Sequence, residues 1–317
     1  MTAFLLRRVA GAAVMLLVVG TIIFSLLMLV PGDPAELLLS TGGGSATPEA
    51  IANLRATMGL DAPVGVQYLT FLWDSLRLDF GTSIIDGSSI AQNIALRLPR
   101  TLEIIVAGTV LALLVAIPAG TSAGLRAGGR FDIAASAVNA LLTSVPGFVV
   151  GTLFIYLFAQ VLGWLPAGGY VAFAEDPVQH LRMLILPAVT VALHLATIVF
   201  RMTRASVLEM RGHDWVRTAT AKGLTRRLVI RRHVLKNALG PVITVVGMQL
   251  GILLGSTVLV EFVYNWPGLS GMLVTAVEQR DFPTVRAVIL TVAAIFIAIN
   301  LAIDLLYSLL DPRIRLQ

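Results

Sequence analysis

The stretch DWVRTATAKGLTRRLVIRRHVLKNALGP, running from Asp214 to Pro241, is unlike the sequence on either side of it. Long apolar runs flank it. It carries Arg217, Lys222, Arg226, Arg227, Arg231, Arg232 and Lys236 against a single acid, Asp214. Asp214 is placed to cap a helix by accepting from free backbone N–H groups, with Val216, Ala219 and Thr220 on one face. Gly223 offers a left-handed stop to that helix. Thr225 caps a second helix predicted to run to Leu239, before Gly240 and Pro241 open the next apolar span. In that helix Leu228, Leu235 and Leu239 form a stripe that Arg231 interrupts. A soluble core would not hold such an arginine unpaired, whereas at a membrane surface it snorkels. The pattern is a short helix held out at a glycine corner, a shape suited to a groove on another protein. Its basic residues would equally suit attachment to anionic lipid.

Composition sets the context. Of 317 residues, 57% are hydrophobic and only 13% charged, whereas soluble domains are about half apolar and about a quarter charged. This is a multi-span membrane protein. With no cysteine, disulfides and thiolate metal sites are excluded. The net charge of +5 resides beside apolar spans and so points to membrane orientation, not to nucleic acid. Six segments reach spanning length, near residues 9–30, 101–123, 133–161, 184–204, 241–264 and 284–309. The first follows Arg7 and Arg8 like a signal peptide, but its apolar run is too long and MLVPGDPAE offers no cleavage site.

Lys and Arg fall at the amino terminus, in the 124–132 loop (Arg126, Arg130), in the 205–240 loop and in the tail (Arg313, Arg315). Segment 31–99 leans acidic through Asp33, Glu36, Glu49, Asp61, Asp74, Asp79 and Asp86. The positive-inside rule then places both termini and the 205–240 loop in the cytoplasm. The expected organisation is a first transmembrane helix in 1–30, an extracytoplasmic module in 31–99, and a core of five spans in 100–317. Within 31–99, Thr47 and Pro48 open a helix that Gly59 ends, and a second apolar stretch stops at Gly81. Two or three short helices on the membrane surface are expected there, either shielding the spans or receiving an extracytoplasmic partner.

Ionisable residues inside spans mark candidate functional positions. Arg100 and Glu103 lie at one end of the second span, Glu261 at the outer end of the fifth, and Asp304 one turn beyond Asn300 in the sixth. His194 is the most central, fitted either for a helix–helix hydrogen bond or for a substrate or proton role. Gly247, Gly251 and Gly255 repeat every fourth residue, as close helix packing requires, and such a face can also line a path; Gln249 lies on another face. Enzyme chemistry finds no support. GGGS at Gly42–Ser45 is a flexible turn and not a phosphate loop, no H-E-x-x-H occurs, and the four histidines are scattered. Any uphill transport must draw on ATP hydrolysis by another chain.

Several stretches together resemble a known family. DWVRTATAKGL followed by RRHVLKNALGPVIT is similar to the cytoplasmic coupling loop, the EAA loop, of ABC-importer permeases in its peptide-transporter form. LPRTLEI (Leu98–Ile104), LPAVTVAL, EFVYNWPGLSGML (Glu261–Leu273), DLLYSLLDPRIRL and the amino-terminal RRVAGAAVMLLVVGTIIFSLLMLVPGDP agree in order. The whole chain thus resembles the B-type permease subunit of dipeptide and oligopeptide ABC importers.

That resemblance implies an all-α, six-helix type I importer permease in a bacterial cell membrane. It implies that Asp214, Trp215, Val216, Arg217, Thr218, Ala219, Thr220, Ala221, Lys222, Gly223 and Leu224 dock in a cytoplasmic ATPase, with Gly223 making the turn. Its implied partners are a second permease subunit, the ATPase subunits and an extracytoplasmic substrate-binding protein, within membrane lipid and without nucleic acid. No cofactor or metal is expected on this chain, ATP and magnesium belonging to the ATPase. Arg217, Thr218 and Ala219 stand where the general pattern has Glu-Ala-Ala, which leaves open the residue that makes the main charged contact. Relatives of this class carry peptides, glutathione, nickel complexes, haem or sugars, and peptide is the expected cargo. An ion-coupled secondary transporter is the rival reading; it predicts working charges near mid-membrane and paired broken helices, and no buried acid cluster is evident. A lipid-anchored scaffold is a third.

Overall fold

A computed structural model describes residues 2–29, 35–36, 47–57 and 59–310. The side chain of Asp304, the tail arginines and most of the Gly/Ser stretch lie outside the described side chains. The described residues are helical, joined by turns, with one isolated β-bridge between Thr82 and Ser89. In chain order the helices are α1 (Thr2–Met28), α2 (Pro48–Thr57), α3 (Val64–Leu76), α4 (Ile90–Leu125) and α5 (Arg130–Ser144). There follow α6 (Gly147–Val161), α7 (Pro177–Arg211), α8 (Asp214–Ala221), α9 (Arg226–Val263), α10 (Leu269–Glu278) and α11 (Phe282–Leu310). The last seven residues of α6, Ile155–Val161, and the segment Val229–Leu235 of α9 are π-helical.

Among the described residues five helices (α1, α4, α7, α9 and α11) are long and apolar enough to cross a membrane, and six spans result if α5 and α6 count as one. The span expected near 133–161 is this broken pair, α5 and α6 meeting at a bend of 99°. The cause is Pro146. Its ring forces Val145 out of the helical region, to φ −102° and ψ 125°. Other spans extend further than hydropathy suggests. Helix α4 begins at Ile90 and carries Pro99 and Pro118 inside it. Helix α7 starts where Asp176 accepts from Val178 and Gln179 N–H at 3.0 Å each, with Pro177 in its first turn. Its 35 residues span roughly 52 Å at the usual rise, well beyond the ~30 Å hydrocarbon core. The expected break at Gly240–Pro241 is absent, since α9 runs through it. On either side of Pro241, Asn237 Nδ2 donates to His233 O (2.7 Å) and Thr244 Oγ1 to Gly240 O (3.2 Å).

The chain divides into two compact units, Met1–Arg97 with Met272–Gln317, and Leu98–Gly271. In the first, α1 packs on α11 and on α3. Thr21 and Tyr68 hydroxyls meet at 2.6 Å, and Phe24 stands against Tyr68 and Phe71. Thr47 caps α2 by accepting from Ala50 N–H (3.3 Å), as expected, whereas α3 ends at Leu76, short of the Gly81 stop expected for it. Buried Asp281 accepts from the hydroxyls of Ser83 and Thr284, each at 2.6 Å, which fastens the 79–89 turn to the start of α11. In the second unit α7 is the central helix, packed against α5, α6 and α9. Close approach to α4 depends on glycine. A Cβ at Gly120 would lie 2.8 Å from Phe200 O, and one at Gly124 2.8 Å from Arg204 O.

Candidate functional site

The segment Arg211–Ile230 lies wholly in the second unit and forms a corner at one end of α7 and α9. Helix α7 ends at Arg211, Gly212 and His213 turn the chain, and α8 begins at Asp214. The cap is not the one expected: His213 is the N-cap residue and gives no side-chain bond, while Asp214 is already helical. Its carboxylate faces water, 3.7 Å from Arg217 Nη1. The other terminus follows expectation. Gly223 has φ +80°, its N–H reaches Thr220 O (3.0 Å), and Leu224 N–H reaches Ala219 O (3.4 Å). This paired closure satisfies the last carbonyls and stops the helix. An added Cβ at Gly223 would meet no atom within 4 Å, so glycine is needed there for its backbone angle and not for space.

Helix α8 is seated by its apolar side. Val216 packs on a buried cluster of Val207 from α7 and Val234 and Ala238 from α9, joined by Leu125 and Met210. Ala219 is buried, while Asp214, Arg217, Thr218, Thr220, Ala221 and Lys222 are exposed. Thr220 therefore leaves the face assigned to it with Val216 and Ala219. Trp215 stacks on His213 at 5.6 Å and tilts toward His233 at 6.4 Å. Burial of Ala219 and partial burial of Val216 hold the two turns of helix against the span ends.

The stripe expected on the following helix also differs. Val229, Val234 and Ala238 are buried, and Leu228 is 41% exposed. The π turn over Val229–Leu235 is the reason. Residues five apart diverge by roughly 140° on an α-helix, but an i→i+5 turn returns them to one side. Thr225 does sit at the N-cap of α9, yet only its backbone carbonyl serves, accepting from Leu228 and Val229 N–H.

Two charge-assisted contacts brace the corner, and sequence reading missed both. Arg211 donates from Nη1 to Gly124 O (3.2 Å) and Leu125 O (2.8 Å), closing the end of α4. Arg204 donates from Nε and Nη2 to the two oxygens of buried Asp132, which also accepts from Gly128 N–H (2.9 Å). The forked geometry of guanidinium on carboxylate fixes orientation as well as distance. Neither arginine belongs to the basic run that begins at Asp214. Nothing local in the sequence pairs position 132 with position 204.

The polar residues of the other end converge. Buried Glu261 accepts from Thr101 Oγ1 (2.6 Å), Ser270 N–H (2.9 Å) and Gly271 N–H (3.4 Å), so it caps α10. Thr101 Oγ1 accepts in turn from Leu269 N–H (2.9 Å). Glu103 meets Nε2 of buried His180 at 2.6 Å, and His180 Nδ1 lies 2.7 Å from Val171 O. Arg100 covers the Tyr170 ring at 4.4 Å, and its carbonyl accepts from Trp266 Nε1 (3.0 Å). Arg100, Glu103 and Glu261 therefore hold helices together. His194 is not in this network. It is exposed and makes no side-chain hydrogen bond among the described residues, lining instead a cavity of about 300 Å³ with Pro146, Thr190, Gly255 and Ser256. Of the glycine stripe, Gly247 and Gly251 are buried and Gly255 opens to this cavity. Among the described residues no group of three or more His, Asp or Glu could hold a metal ion.

Comparison with known proteins accords with this geometry. Residues 116–316 match the family described as binding-protein-dependent transport system inner membrane component, and residues 1–105 match the N-terminal family of the same membrane components. A protein of Sinorhizobium fredii named "Probable peptide ABC transporter permease protein" is 38% identical over 315 residues, 99% of this chain and 100% of its own. The dipeptide transport system permease protein of Alkalihalophilus pseudofirmus is 36% identical over 99% of this chain and 100% of its own. The glutathione transport system permease protein of Salmonella choleraesuis is 36% identical over 98% of each. Helices of membrane length and matches along the whole chain lead to one conclusion: this chain belongs to the binding-protein-dependent transport system inner membrane components, and is a transport component rather than an enzyme.

Proposed function

We propose that the chain is a permease subunit of an ATP-driven importer of peptides, in which α8 couples the spans to a cytoplasmic ATPase. The observation that carries this reading is the construction of α8. Its apolar side is seated on α7 and α9, both ends are fixed by turns, and its polar side is free. A push on the exposed face of such a helix moves α7 and α9, because Val216 cannot shift without displacing Val207 and Val234. Closure of an ATPase pair would draw coupling helices together and open the spans outward, and hydrolysis would reset them. The ATP and magnesium of that cycle reside on the ATPase.

A second permease subunit would complete the path, and a binding protein would deliver cargo to the face opposite α8. Peptides are the favoured cargo because similar proteins are named for peptides, dipeptides and glutathione. The cavity beside His194 and Gly255, largely apolar through Phe148, Leu253 and Leu259 with hydroxyls from Thr190 and Ser256, would be this chain's contribution to the path. The test is purification from native membranes with identification of what accompanies the chain, followed by ATPase assays with cargo-loaded binding protein. An ATPase and a second permease should be recovered, and Gly223→Asp should abolish the stimulation while leaving the chain folded. Recovery of the chain alone with transport intact, or normal stimulation of the variant, overturns the reading.

A further inference from the structure

A cleft of about 630 Å³ lies between the end of α4 and the first turns of α9. Arg126, Arg226, Arg227 and Arg231 line it, and no acid does. None of the four pairs with an acid among the described residues. Guanidinium groups stay charged at any physiological pH, so four of them converging on one concavity repel each other unless an anion sits between them. The remaining wall is Ser122 with the apolar Leu125, Ile230 and Leu235.

The π turn assembles this wall. Arg226 with Arg231, and Ile230 with Leu235, are each five residues apart. On a regular α-helix such pairs would face away from each other. The i→i+5 turn over Val229–Leu235 instead sets them toward the cleft, while Val229 and Val234 stay buried. Cleft and seat of α8 are thus two faces of one local irregularity.

We infer that this cleft binds the phosphate headgroup of an anionic phospholipid. The arginines hold the phosphate, and Leu125, Ile230 and Leu235 receive the start of the acyl chains. Position supports a lipid. The cleft lies at the ends of α4 and α9, two helices long and apolar enough to cross a membrane, and basic pockets between membrane helices at that level suit anionic headgroups. Its volume exceeds what a free phosphate fills, and its concave, partly greasy wall is unlike a flat charged patch for a protein partner.

The full-length chain in mild detergent is titrated, with native mass spectrometry as the readout, against three separate probes: short-chain phosphatidylglycerol, short-chain phosphatidylcholine and inorganic phosphate. Phosphatidylglycerol should bind and phosphatidylcholine should not. Arg226→Gln with Arg231→Gln should weaken phosphatidylglycerol by roughly 10- to 30-fold at an unchanged elution volume. Arg126→Gln, on the opposite wall, should weaken it several-fold and carries the test if the double variant does not fold. Equal binding of phosphatidylcholine, or unchanged affinity in the variants, overturns the inference. Inorganic phosphate binding as tightly as the lipid overturns it in favour of a free anion. Variants that keep the lipid but lose a co-purifying ATPase overturn it in favour of a protein contact. Lipid binding is read without ATPase or cargo, so failure here leaves the proposed function standing.

Discussion

The two ends of α9 solve opposite problems. Near Val263 the polar groups turn inward: Glu261 spends both oxygens on Thr101, Ser270 and Gly271, and Gly268 lies so close that a Cβ there would sit 2.4 Å from the carboxylate. Near Arg226 the apolar groups turn inward and the charges outward, and Gly223 has open space around it. The first end is a lock, its carboxylate held by three hydrogen-bond donors. The second, with a seated back and a free face, is the lever of the proposed coupling. A substitution at the lock should therefore be felt as lost stability, and one on the lever as lost coupling.

The largest effect is expected where backbone blocks backbone. A Cβ at Gly168 would lie 2.1 Å from Tyr264 O, so Gly168→Ala should cost about 3 kcal/mol or prevent accumulation, read as a lowered thermal midpoint in detergent. Glu261→Ala leaves buried donors without an acceptor and should cost about 2–3 kcal/mol, whereas Glu261→Gln keeps one oxygen and should cost less. If both variants melted like the parent, the lock would be no lock. Asp132→Asn weakens the fork from Arg204 at the base of the lever and should cost about 1–2 kcal/mol; rescue of its midpoint by a neutral partner at position 204 would show that the pair itself is responsible.

Gly223→Asp should cost no more than about 1–2 kcal/mol, since only its left-handed backbone is penalised, yet coupling to ATPase activity should vanish. A large fall in its midpoint would mean that the lever is structural. Smallest of all, Asp214→Ala should leave the midpoint unchanged, because the carboxylate caps nothing and its pairing with Arg217 is solvent-exposed. A clear loss of stability there would restore the capping role that the sequence suggested.

The lever was largely legible in advance, because its signals are local. Asp214 to Gly223 read correctly as two turns ended by a left-handed glycine, which depends only on backbone angle and on neighbours within a few residues. What failed there also had a local cause that hydropathy does not encode. The π turn shifts burial from Leu228, Leu235 and Leu239 to Val229, Val234 and Ala238, and a period of 3.6 cannot anticipate it. The lock was half legible. Arg100, Glu103 and Glu261 stood out as charges beside apolar runs, but their partners Thr101 and His180 drew no notice, because a hydroxyl or an imidazole is informative only once something faces it.

The sequence by itself determined that this is a helical membrane protein with a glycine-cornered basic segment between two spans, since composition, apolar run length and turn chemistry act over short stretches of chain. It also carried the likeness to importer permeases. Only the tertiary structure decided that Asp132 takes the fork of Arg204, that Glu261 caps a helix, and that four arginines share a cleft. Each of these joins groups whose meeting depends on how the helices pack, and periodicity along one helix holds no record of the residues that another helix brings to it.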